Sequence, residues 1–545
     1  MSSSLPVEPG TCEPGEKPAG AGEGRAAFLV GAGIFLSRIA GLVRDRVFAH
    51  FFGSSDAADA FKAAFRIPNL LQNLFGEGTL SASFIPVYAR LAAEKNLEEA
   101  RRVAAGVAAS LALVVSVLVA LGVSLAPWLI AGIAPGFTGE KRELTVRLVQ
   151  ILFPGAGLLV CSAWCLGILN SHRRFFLSYA APVLWNIVMI AALLAFGSRR
   201  GQFPLAATLA WASVLGSAIQ FGVQLPGALR LVGRLPAGLH WAQASVRTVM
   251  RNFVPVAIGR GVMQISAFVD EIIASLLPTG AFAALSYAQT LYMLPVSLFG
   301  MAVSASELPA MSSARGGEQE IAGYLNRRLN GGLRRIAFFI VPSAVAFLAL
   351  GDVVAAAIYQ TGRFTQRDAL YVWGVLAGAT VGLLASTLGR LYSSTYYALR
   401  DTRTPLRYAI LRVVLSGALG YVFALCLPGW IGVPVRWGVA GLTLSSGIGA
   451  WVELSLLRRT LNRRIGRTGL PPELLLGLGA AAAAGAALGF GLKLLLQGWH
   501  PIPLAVLVLG LYGVSYFALA ALFRVTEAQG LLRQAGRVIG RLAAR

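Results

Sequence analysis

A motif that the chain carries twice decides the fold. The first copy reads LFGEGTLSASFIP at residues 74–86, and the second reads LFGMAVSASELP at residues 298–309. The two copies start 224 positions apart (298 minus 74). Two further matches lie at offsets of 226 and 227, namely residues 39–43 with 265–269 and residues 136–138 with 363–365. Three matches at nearly one offset indicate an internal duplication.

Long apolar stretches fill the sequence between these motifs. Of the 545 residues, 56% are hydrophobic and only 13% are charged, whereas charged residues make up about 25% of globular proteins. Mean hydropathy is +0.68. This composition excludes a disordered chain and argues against a soluble enzyme. Roughly fourteen stretches, such as residues 103–133 and 502–522, reach the length of about 20 apolar residues that spans a bilayer. The predicted fold class is an all-α polytopic membrane protein.

The duplication organises these spans into two halves. One period holds six spans, so both copies run in the same membrane orientation. We predict two six-helix lobes in parallel pseudo-repeat, a design that commonly encloses a substrate site, followed by two further helices. A duplication without transport is the alternative. The predicted segments are a disordered cytoplasmic tail (1–25), a first lobe (26–235), a second lobe (236–460), the last two spans (461–526) and a basic amphipathic cytoplasmic helix (527–545).

The distribution of positive charge predicts the topology. The net charge is +23, from 47 Lys and Arg against 24 Asp and Glu. Basic residues such as Arg101, Arg173 and Arg400 fall in loops on the side of the N-terminus, and the opposite loops hold few. The positive-inside rule therefore places both termini in the cytoplasm. No basic patch alternates with aromatic residues as in nucleic-acid-binding proteins, so no nucleic acid partner is predicted.

Ionisable residues within the first span are candidate binding residues, because charges at membrane depth are costly. Arg38 and Arg44 are six positions apart, which on a helix is about 9 Å along the axis and about 120° in azimuth. Both could border one wide cavity. The alternative is that Arg44 pairs with Asp45 or a neighbouring acid, and that Arg46 reaches the outer interface.

Other spans add further candidates. The second span carries Asp59 and Glu77, and Glu77 either neutralises an arginine or takes a proton. In the second lobe, Asp270 and Glu271 occupy the repeat positions of Arg44 and Asp45, with Arg260 nearby. The final list of substrate-binding candidates is Arg38, Arg44, Asp59, Glu77 and Arg260, and the coupling or gating candidates are Asp270 and Glu271.

The two lobes therefore differ in charge, since one offers cations and the other acids. A cavity lined by arginine suits an anion, with phosphate the obvious candidate. The acids suit a coupling cation, Na⁺ or H⁺. No metal-ligand spacing, nucleophile elbow or Walker loop is present, so we predict a transporter without a cofactor or catalytic site rather than an enzyme.

Several ordered motifs resemble those of one family. They are SRIAGLVRD (37–45), RIPNLL (66–71), FGEG (75–78), APVLWN (181–186), YQTGRFT (359–365) and YALRDTRTP (397–405). On these motifs the chain resembles the MurJ (or MviN) family of lipid II flippases, in the multidrug/oligosaccharidyl-lipid/polysaccharide exporter superfamily. The similarity covers about residues 26–526.

This resemblance implies a MATE-like fold of fourteen helices in the cell inner membrane. It implies transport of lipid II, the undecaprenyl-pyrophosphate-linked peptidoglycan precursor, by alternating access, with the last two spans forming a groove for the lipid tail. Membrane lipids and cell-wall synthesis proteins are implied partners. Arg38, Arg44, Asp59 and Glu77 match important positions of the family.

The chain departs from the family at several positions. Gln72 and Thr290 stand where arginine is usual, and Arg260 could restore one of these charges. Asp270 matches an acid linked to sodium binding in some members, but Ser416 and Gly420 replace the expected partners. Transport of another polyprenyl-phosphate glycan, cation antiport, and a non-transporting cell-wall scaffold therefore remain alternatives.

Overall fold

The structure, a computed structural model, describes residues 21–530 apart from positions 237, 239, 242 and 524. Regular structure in this part of the chain is helical, and the pairing of Thr361 with Phe364 is an isolated bridge. The helices of the first half are α1 (Ala21–Phe52), α2 (Asp56–Phe75), α3 (Glu77–Ser83), α4 (Ile85–Ala93), α5 (Leu97–Ser124), α6 (Ala126–Ile133), α7 (Gly139–Ser171), α8 (Phe175–Phe196) and α9 (Gln202–Val232).

The second half continues in the same style. Its helices are α10 (Ala244–Ser275), α11 (Ala281–Pro295), α12 (Ala302–Ser312), α13 (Glu318–Tyr359), α14 (Gln366–Thr380), α15 (Leu383–Ala398), α16 (Arg403–Tyr421), α17 (Leu427–Ile431), α18 (Gly438–Ile465), α19 (Pro472–Leu495) and α20 (Pro501–Leu522). Two π-helical segments, Val296–Met301 and Val422–Cys426, and a 3₁₀ turn, Val435–Trp437, lie between them.

The described helices include most of the predicted membrane spans. Within the described residues, ten helices are long and apolar enough to cross a membrane, and the pair α14 and α15, bent by 44°, makes up to eleven. The predicted count of about fourteen also requires α1, α2 with its continuation, and α10 to cross, and it stays a prediction. An all-α, multi-pass membrane fold is confirmed.

The repeated motif has the same structural consequence in both halves. In the first copy, Gly76 is extended and separates α2 from α3. In the second copy, the helix passes through the π-helical segment Val296–Met301 between α11 and α12. π-Helical turns are rare and frequent at functional sites. The repeat match of residues 136–138 with 363–365 also has the same structure in both halves, because Thr138 and Thr365 are the N-cap residues of α7 and α14.

Most helix packing lies within one half of the chain or the other, and several helices also pack across the boundary. In the first half, α7 packs on α2 and α9, and α8 packs on α1 and α9; in the second, α18 packs on α14, α15 and α16. The helices α19 and α20 pack on each other and on α13. The pairs α2 with α11 and α1 with α13 pack across the boundary. Helix α10 contacts α2, α3 and α5 as well as α16 and α18. It therefore connects the lobes rather than belonging wholly to the second.

Both ends of the chain fall partly outside the description. Residues 1–20 and 531–545, which include most of the predicted tail and of the predicted basic helix, lie outside the described residues. Residues 526–530 are helical. Arg334 of α13 donates hydrogen bonds to Glu527 (2.8 Å) and Thr526 (3.0 Å), which fixes this segment to the second lobe.

Candidate binding site between the two lobes

The first arginine of α1 reaches across to the second lobe. Arg38 is exposed, and its Nη1 donates a hydrogen bond to the hydroxyl of Ser297 in the π-helical segment. Ser297 also donates to the carbonyl of Leu294. No carboxylate is paired with Arg38 among the described residues, so its charge stays available at the boundary between the lobes.

Arg44 lies one and a half turns further along α1 and has more partners. Its Nε and Nη2 donate to Asp45 Oδ1 (3.3 and 3.0 Å), and Nη1 donates to Asn186 Oδ1 (3.1 Å). The guanidinium also lies 5.0 Å from the ring centroid of Trp185. The structure therefore contains the alternative arrangement, in which Arg44 pairs with Asp45. These partners use three of the five N–H groups of an arginine, and 22% of the side chain is exposed.

A lysine shares the same carboxylate. Lys62 Nζ of α2 is 3.4 Å from Asp45 Oδ1, and it lies over the rings of Phe48 and Tyr287 at 4.8 and 5.2 Å. Asp45 therefore serves two cations, and the group of Arg44, Asp45 and Lys62 keeps one net positive charge. Lys62 is not among the candidate residues predicted from the sequence.

An ion pair joins the lobes in the same layer. Arg66 Nε of α2 is 2.8 Å from Glu271 Oε1 of α10, and the guanidinium lies 5.7 Å from the ring of Phe268. The Glu271 side chain is 5% exposed and that of Arg66 is 25% exposed. This pairing brings the acids of the second lobe against a cation of the first. The second oxygen of this carboxylate, Glu271 Oε2, has no hydrogen bond among the described residues.

Asp59 has a different environment from the arginines. It is 1% exposed, and it accepts hydrogen bonds from the backbone N–H groups of Gly280 (2.8 Å) and Ala283 (2.7 Å) and from Lys141 Nζ (2.7 Å). Those N–H groups open α11, where a helix favours negative charge. Asp59 thus caps a helix of the opposite lobe. Its oxygens are occupied, so this conformation does not support the predicted contact with substrate.

Asp59 belongs to a wider contact between the lobes, which we call the far face. It comprises the C-terminal end of α1, the first turns of α2 and α7, and the loops 53–55, 134–138, 276–280 and 360–365. The His50 carbonyl accepts from Arg363 N (2.8 Å), and at the equivalent repeat position Ser275 Oγ accepts from Gly136 N (3.3 Å). His50 Nδ1 is also 2.8 Å from Thr361 Oγ1. The far face is therefore closed by two related sets of contacts.

Arg46 contributes to this closure. Its Nη1 donates to the carbonyls of Ala357 (2.5 Å) and Ile358 (2.9 Å) in the last turn of α13. The alternative that Arg46 reaches the outer interface stays a prediction. A cation at a helix C-terminus is favoured by the carbonyl groups left without partners there.

At the opposite face, which we call the near face, the lobes meet through α10 and the segment before it. Ser245 donates to Glu99 of α5, Trp241 Nε1 donates to Ser110 Oγ (2.7 Å), and the rings of Phe75 and Phe253 lie 5.7 Å apart. These contacts involve one continuous segment, residues 241–253, rather than two equivalent sets of loops. The near face is thus held differently from the far face.

The second lobe contains charges that the sequence reading missed. Asp270 accepts from Ser446 Oγ at 3.2 and 3.1 Å, and it interacts electrostatically with Arg412 of α16. Arg412 Nη1 is 3.1 Å from Glu453 Oε2. Arg390 of α15 interacts electrostatically with both. The expectation that the second lobe offers only acids is therefore incomplete. The signal in the sequence that could have indicated Arg390 and Arg412 was an arginine in the middle of a helix.

The remaining candidates are Glu77, Arg260 and the positions at which the chain departs from the family. The side chains of Glu77 and Arg260 lie outside the described residues, so their predicted roles stay predictions. Thr290 donates to the carbonyl of Ser286 (3.1 Å). The Ser416 hydroxyl is buried without a hydrogen-bond partner in the described part of the chain, and Gly420 packs beside Ser445 and Ile273. No group of three or more His, Cys, Asp or Glu residues suited to a metal ion occurs there either.

Comparison with known proteins identifies the family. The family model described as lipid II flippase MurJ matches residues 48–510. The chain belongs to the MurJ family. It is 33% identical to lipid II flippase MurJ of Burkholderia cenocepacia over 447 residues, which cover 81% of this chain and 84% of that protein. It is also 33% identical to a probable lipid II flippase MurJ of Rhizobium tropici, covering 80% of each.

Solved structures support the fold of a MurJ-family protein. The chain is similar to a lipid II flippase MurJ in an inward closed conformation, with a TM-score of 0.73, 23% identity, and coverage of 91% of this chain and 98% of the other. It is also similar to an inward-facing multidrug resistance MATE transporter, with a TM-score of 0.62, 17% identity, and coverage of 80% and 98%. The expectation of a MATE-like fold is confirmed.

The charge balance of the site is consistent with an anionic ligand. Among the described side chains, the layer between the lobes holds four cations, Arg38, Arg44, Lys62 and Arg66, against two carboxylates, Asp45 and Glu271. These six side chains carry a net charge of +2. Partly exposed guanidinium groups in such a layer can bind phosphate oxygens bidentately.

Proposed function

We propose that this protein is a flippase that carries lipid II across the cell inner membrane by alternating access. Family membership supports the substrate, because the Burkholderia cenocepacia relative at 33% identity is named a lipid II flippase and the Rhizobium tropici relative a probable one. Flipping breaks no covalent bond in the substrate, so the protein acts as a transporter and not as an enzyme. Its role would be in peptidoglycan biosynthesis, with both termini in the cytoplasm as the charge bias predicts.

One observation carries this proposal. Arg38 and Arg44 keep exposed N–H groups at the boundary between the lobes, while the far face beyond them is closed. A diphosphate carries about two negative charges, which the net charge of +2 in this layer would balance. In this arrangement the head group enters from the near face and meets Arg38 before Arg44. Opening of the far face then releases it.

Asp270 supports a coupling role for a cation. Its carboxylate and the Ser446 hydroxyl supply hard oxygen ligands where α10, α16 and α18 converge, and the Ser416 hydroxyl of α16 has no hydrogen-bond partner among the described residues. Such oxygens suit Na⁺ or a proton. In this proposal the cation neutralises Asp270 and alters its balance with Arg412. Glu271 acts as a gating residue, because its pair with Arg66 must break for the lobes to separate.

The test is complementation of a strain depleted of its essential lipid II flippase. The wild-type chain is expected to restore growth and normal shape. Lysis despite normal membrane expression would contradict lipid II as the substrate. Growth with Arg44→Ala equal to wild type would instead favour the non-transporting scaffold, provided that both proteins reach the membrane in equal amounts.

A further inference from the structure

The lysine in the layer between the lobes is held well inside its helix. Lys62 lies six residues, or about 9 Å, after the first residue of α2, and its side chain is only 14% exposed. An ammonium group at membrane depth is costly, so such a lysine is a functional candidate by default. Its Nζ contacts Asp45 and lies 4.8 Å from the ring centroid of Phe48 and 5.2 Å from that of Tyr287.

Lys62 and Arg44 use the same oxygen atom of Asp45. Asp45 Oδ1 is 3.4 Å from Lys62 Nζ, 3.3 Å from Arg44 Nε and 3.0 Å from Arg44 Nη2. The Asp45 side chain is only 8% exposed, so its charge needs a cation beside it. One cation is enough to neutralise one carboxylate. The second cation is therefore in excess.

Arg44 is the cation that can leave. It has a second acceptor, Asn186 Oδ1 (3.1 Å), and it lies against the ring of Trp185. Its side chain is 22% exposed, more than that of Lys62. Arg44 and Asp45 are consecutive on α1, and consecutive residues of a helix do not face each other, so Arg44 must turn aside to reach the carboxylate. A phosphate at the boundary between the lobes can take this guanidinium if Asp45 keeps another cation.

We propose that Lys62 is a positioning residue for the diphosphate, because it neutralises Asp45 and thereby frees Arg44 to bind phosphate oxygens. The inference rests on the proposed function and deepens it. Without Lys62, movement of Arg44 to the ligand would leave a buried carboxylate with no cation, which is strongly unfavourable. With Lys62 in place, Asp45 has a partner before and after the ligand binds. Lys62 thus acts through Asp45 and does not touch the substrate.

The surroundings of Lys62 fit a fixed charge. Phe48 is 3% exposed and Tyr287 is fully buried, and the Tyr287 hydroxyl donates to the carbonyl of Gly53 (3.1 Å) at the far face. These two rings stabilise the ammonium group through their faces. Phe48 follows Arg44 by one turn of α1, towards the far face. A head group that enters from the near face therefore meets Arg44 before it reaches Lys62.

The experiment is a double-mutant cycle on the binding of lipid II to the purified full chain. The four proteins are wild type, Lys62→Met, Asp45→Asn and the double variant, and methionine keeps an unbranched side chain between the rings. We expect Lys62→Met alone to weaken binding roughly 10- to 100-fold, because Arg44 must then stay on Asp45. In the Asp45→Asn background the same substitution should change binding by less than about 2-fold, because Arg44 is already free.

Two controls accompany the cycle. Arg464→Met removes a cation that pairs with Asp401 (2.8 Å) and lies 5.7 Å from the ring of Tyr396, in the last turn of α18. It should leave lipid II binding unchanged. Thermal unfolding checks that each variant is folded. If Lys62→Met does not fold, Lys62→Gln takes its place, because the glutamine amide can still donate a hydrogen bond to Asp45.

Each outcome has a distinct meaning. A loss of binding by Lys62→Met that disappears in the Asp45→Asn background supports the proposal. The same loss in both backgrounds overturns it, because a direct contact with the diphosphate, or the lower charge of the layer, would act without Asp45. Unchanged binding by Lys62→Met also overturns it. Either of these results leaves the proposed function intact, whereas failure of the wild-type chain to bind lipid II contradicts that function itself.

Discussion

The far face and the layer of charges behind it use the same residue types for opposite purposes. At the far face, Asp59 is 1% exposed, and it accepts hydrogen bonds from Lys141 and from two backbone N–H groups of the opposite lobe. In the charged layer, Arg44 and Arg66 are 22% and 25% exposed and keep unused N–H groups. Fully satisfied charges hold the lobes together, whereas partly satisfied charges are ready for a ligand.

The largest effect is expected from locking the far face. Cysteines replacing His50 and Thr361, whose side chains are 2.8 Å apart, should be joined by a short reversible cross-linker in a background without the native cysteines. Transport then stops completely, because the lobes cannot separate there, and a reductant restores it. Each single-cysteine variant serves as a control. Continued transport by the cross-linked protein would show that this face does not open.

A smaller effect is expected from weakening the same face. Asp59→Asn removes the charge that pairs with Lys141 and sets an amide donor against the backbone N–H groups of α11, at a cost of about 3 kcal/mol. We expect a cysteine at Thr361 to react roughly 10- to 100-fold faster with an impermeant thiol reagent. Asp56→Asn is the control, because Asp56 is 43% exposed in the same group and should matter less.

The sequence predicted the overall fold because apolar spans and the duplicated motif are local properties. It also makes Arg38 and Arg44 candidate binding residues, since charge inside a span is visible without a structure, and their role stays a prediction. The partners were not predictable. Arg46 binds carbonyls of α13 more than 300 residues away, and Asp59 caps a helix of the other lobe. The sequence did not indicate Arg390 and Arg412 as candidates, because each lies close to a loop rich in arginine. The observed ends of α15 and α16 show that both residues lie inside helices.

The ion pair between the lobes should have an intermediate effect. In a double-mutant cycle on thermal stability, Arg66→Gln and Glu271→Gln should show a coupling energy of about 1–2 kcal/mol, because the carboxylate is buried. The exposed pair Arg90 and Glu94, 3.9 Å apart, should show about 0.5 kcal/mol or less. Equal coupling in the two pairs would contradict the distinction between them.

The smallest effect is expected at the end of the described chain. Burial raises the pKa of Glu527, but hydrogen bonds from Arg334 and Thr526 outweigh it, so the pKa lies below its usual value of 4.5. The contribution of this pair to stability is therefore present above that value and is lost as the pH falls through the lowered pKa. Glu527→Gln should cost up to about 1 kcal/mol at neutral pH.

The pH dependence of that variant provides its own check. The difference in unfolding temperature between wild type and Glu527→Gln should shrink as the pH is lowered below 4.5, because the wild-type carboxylate is then protonated and, like the glutamine amide, carries no charge. A difference that is independent of pH would assign the effect to packing rather than to the contact with Arg334.

The central claim is that the two arginines of α1 bind the diphosphate during transport. The most direct test is flipping of labelled lipid II in proteoliposomes by wild type and by a variant with Arg38→Gln and Arg44→Gln, matched for folding and orientation. We predict that wild type moves the lipid to the opposite leaflet and that the variant loses at least 100-fold in rate, as expected for two charged hydrogen-bonding groups. Equal rates for the two proteins would contradict the account.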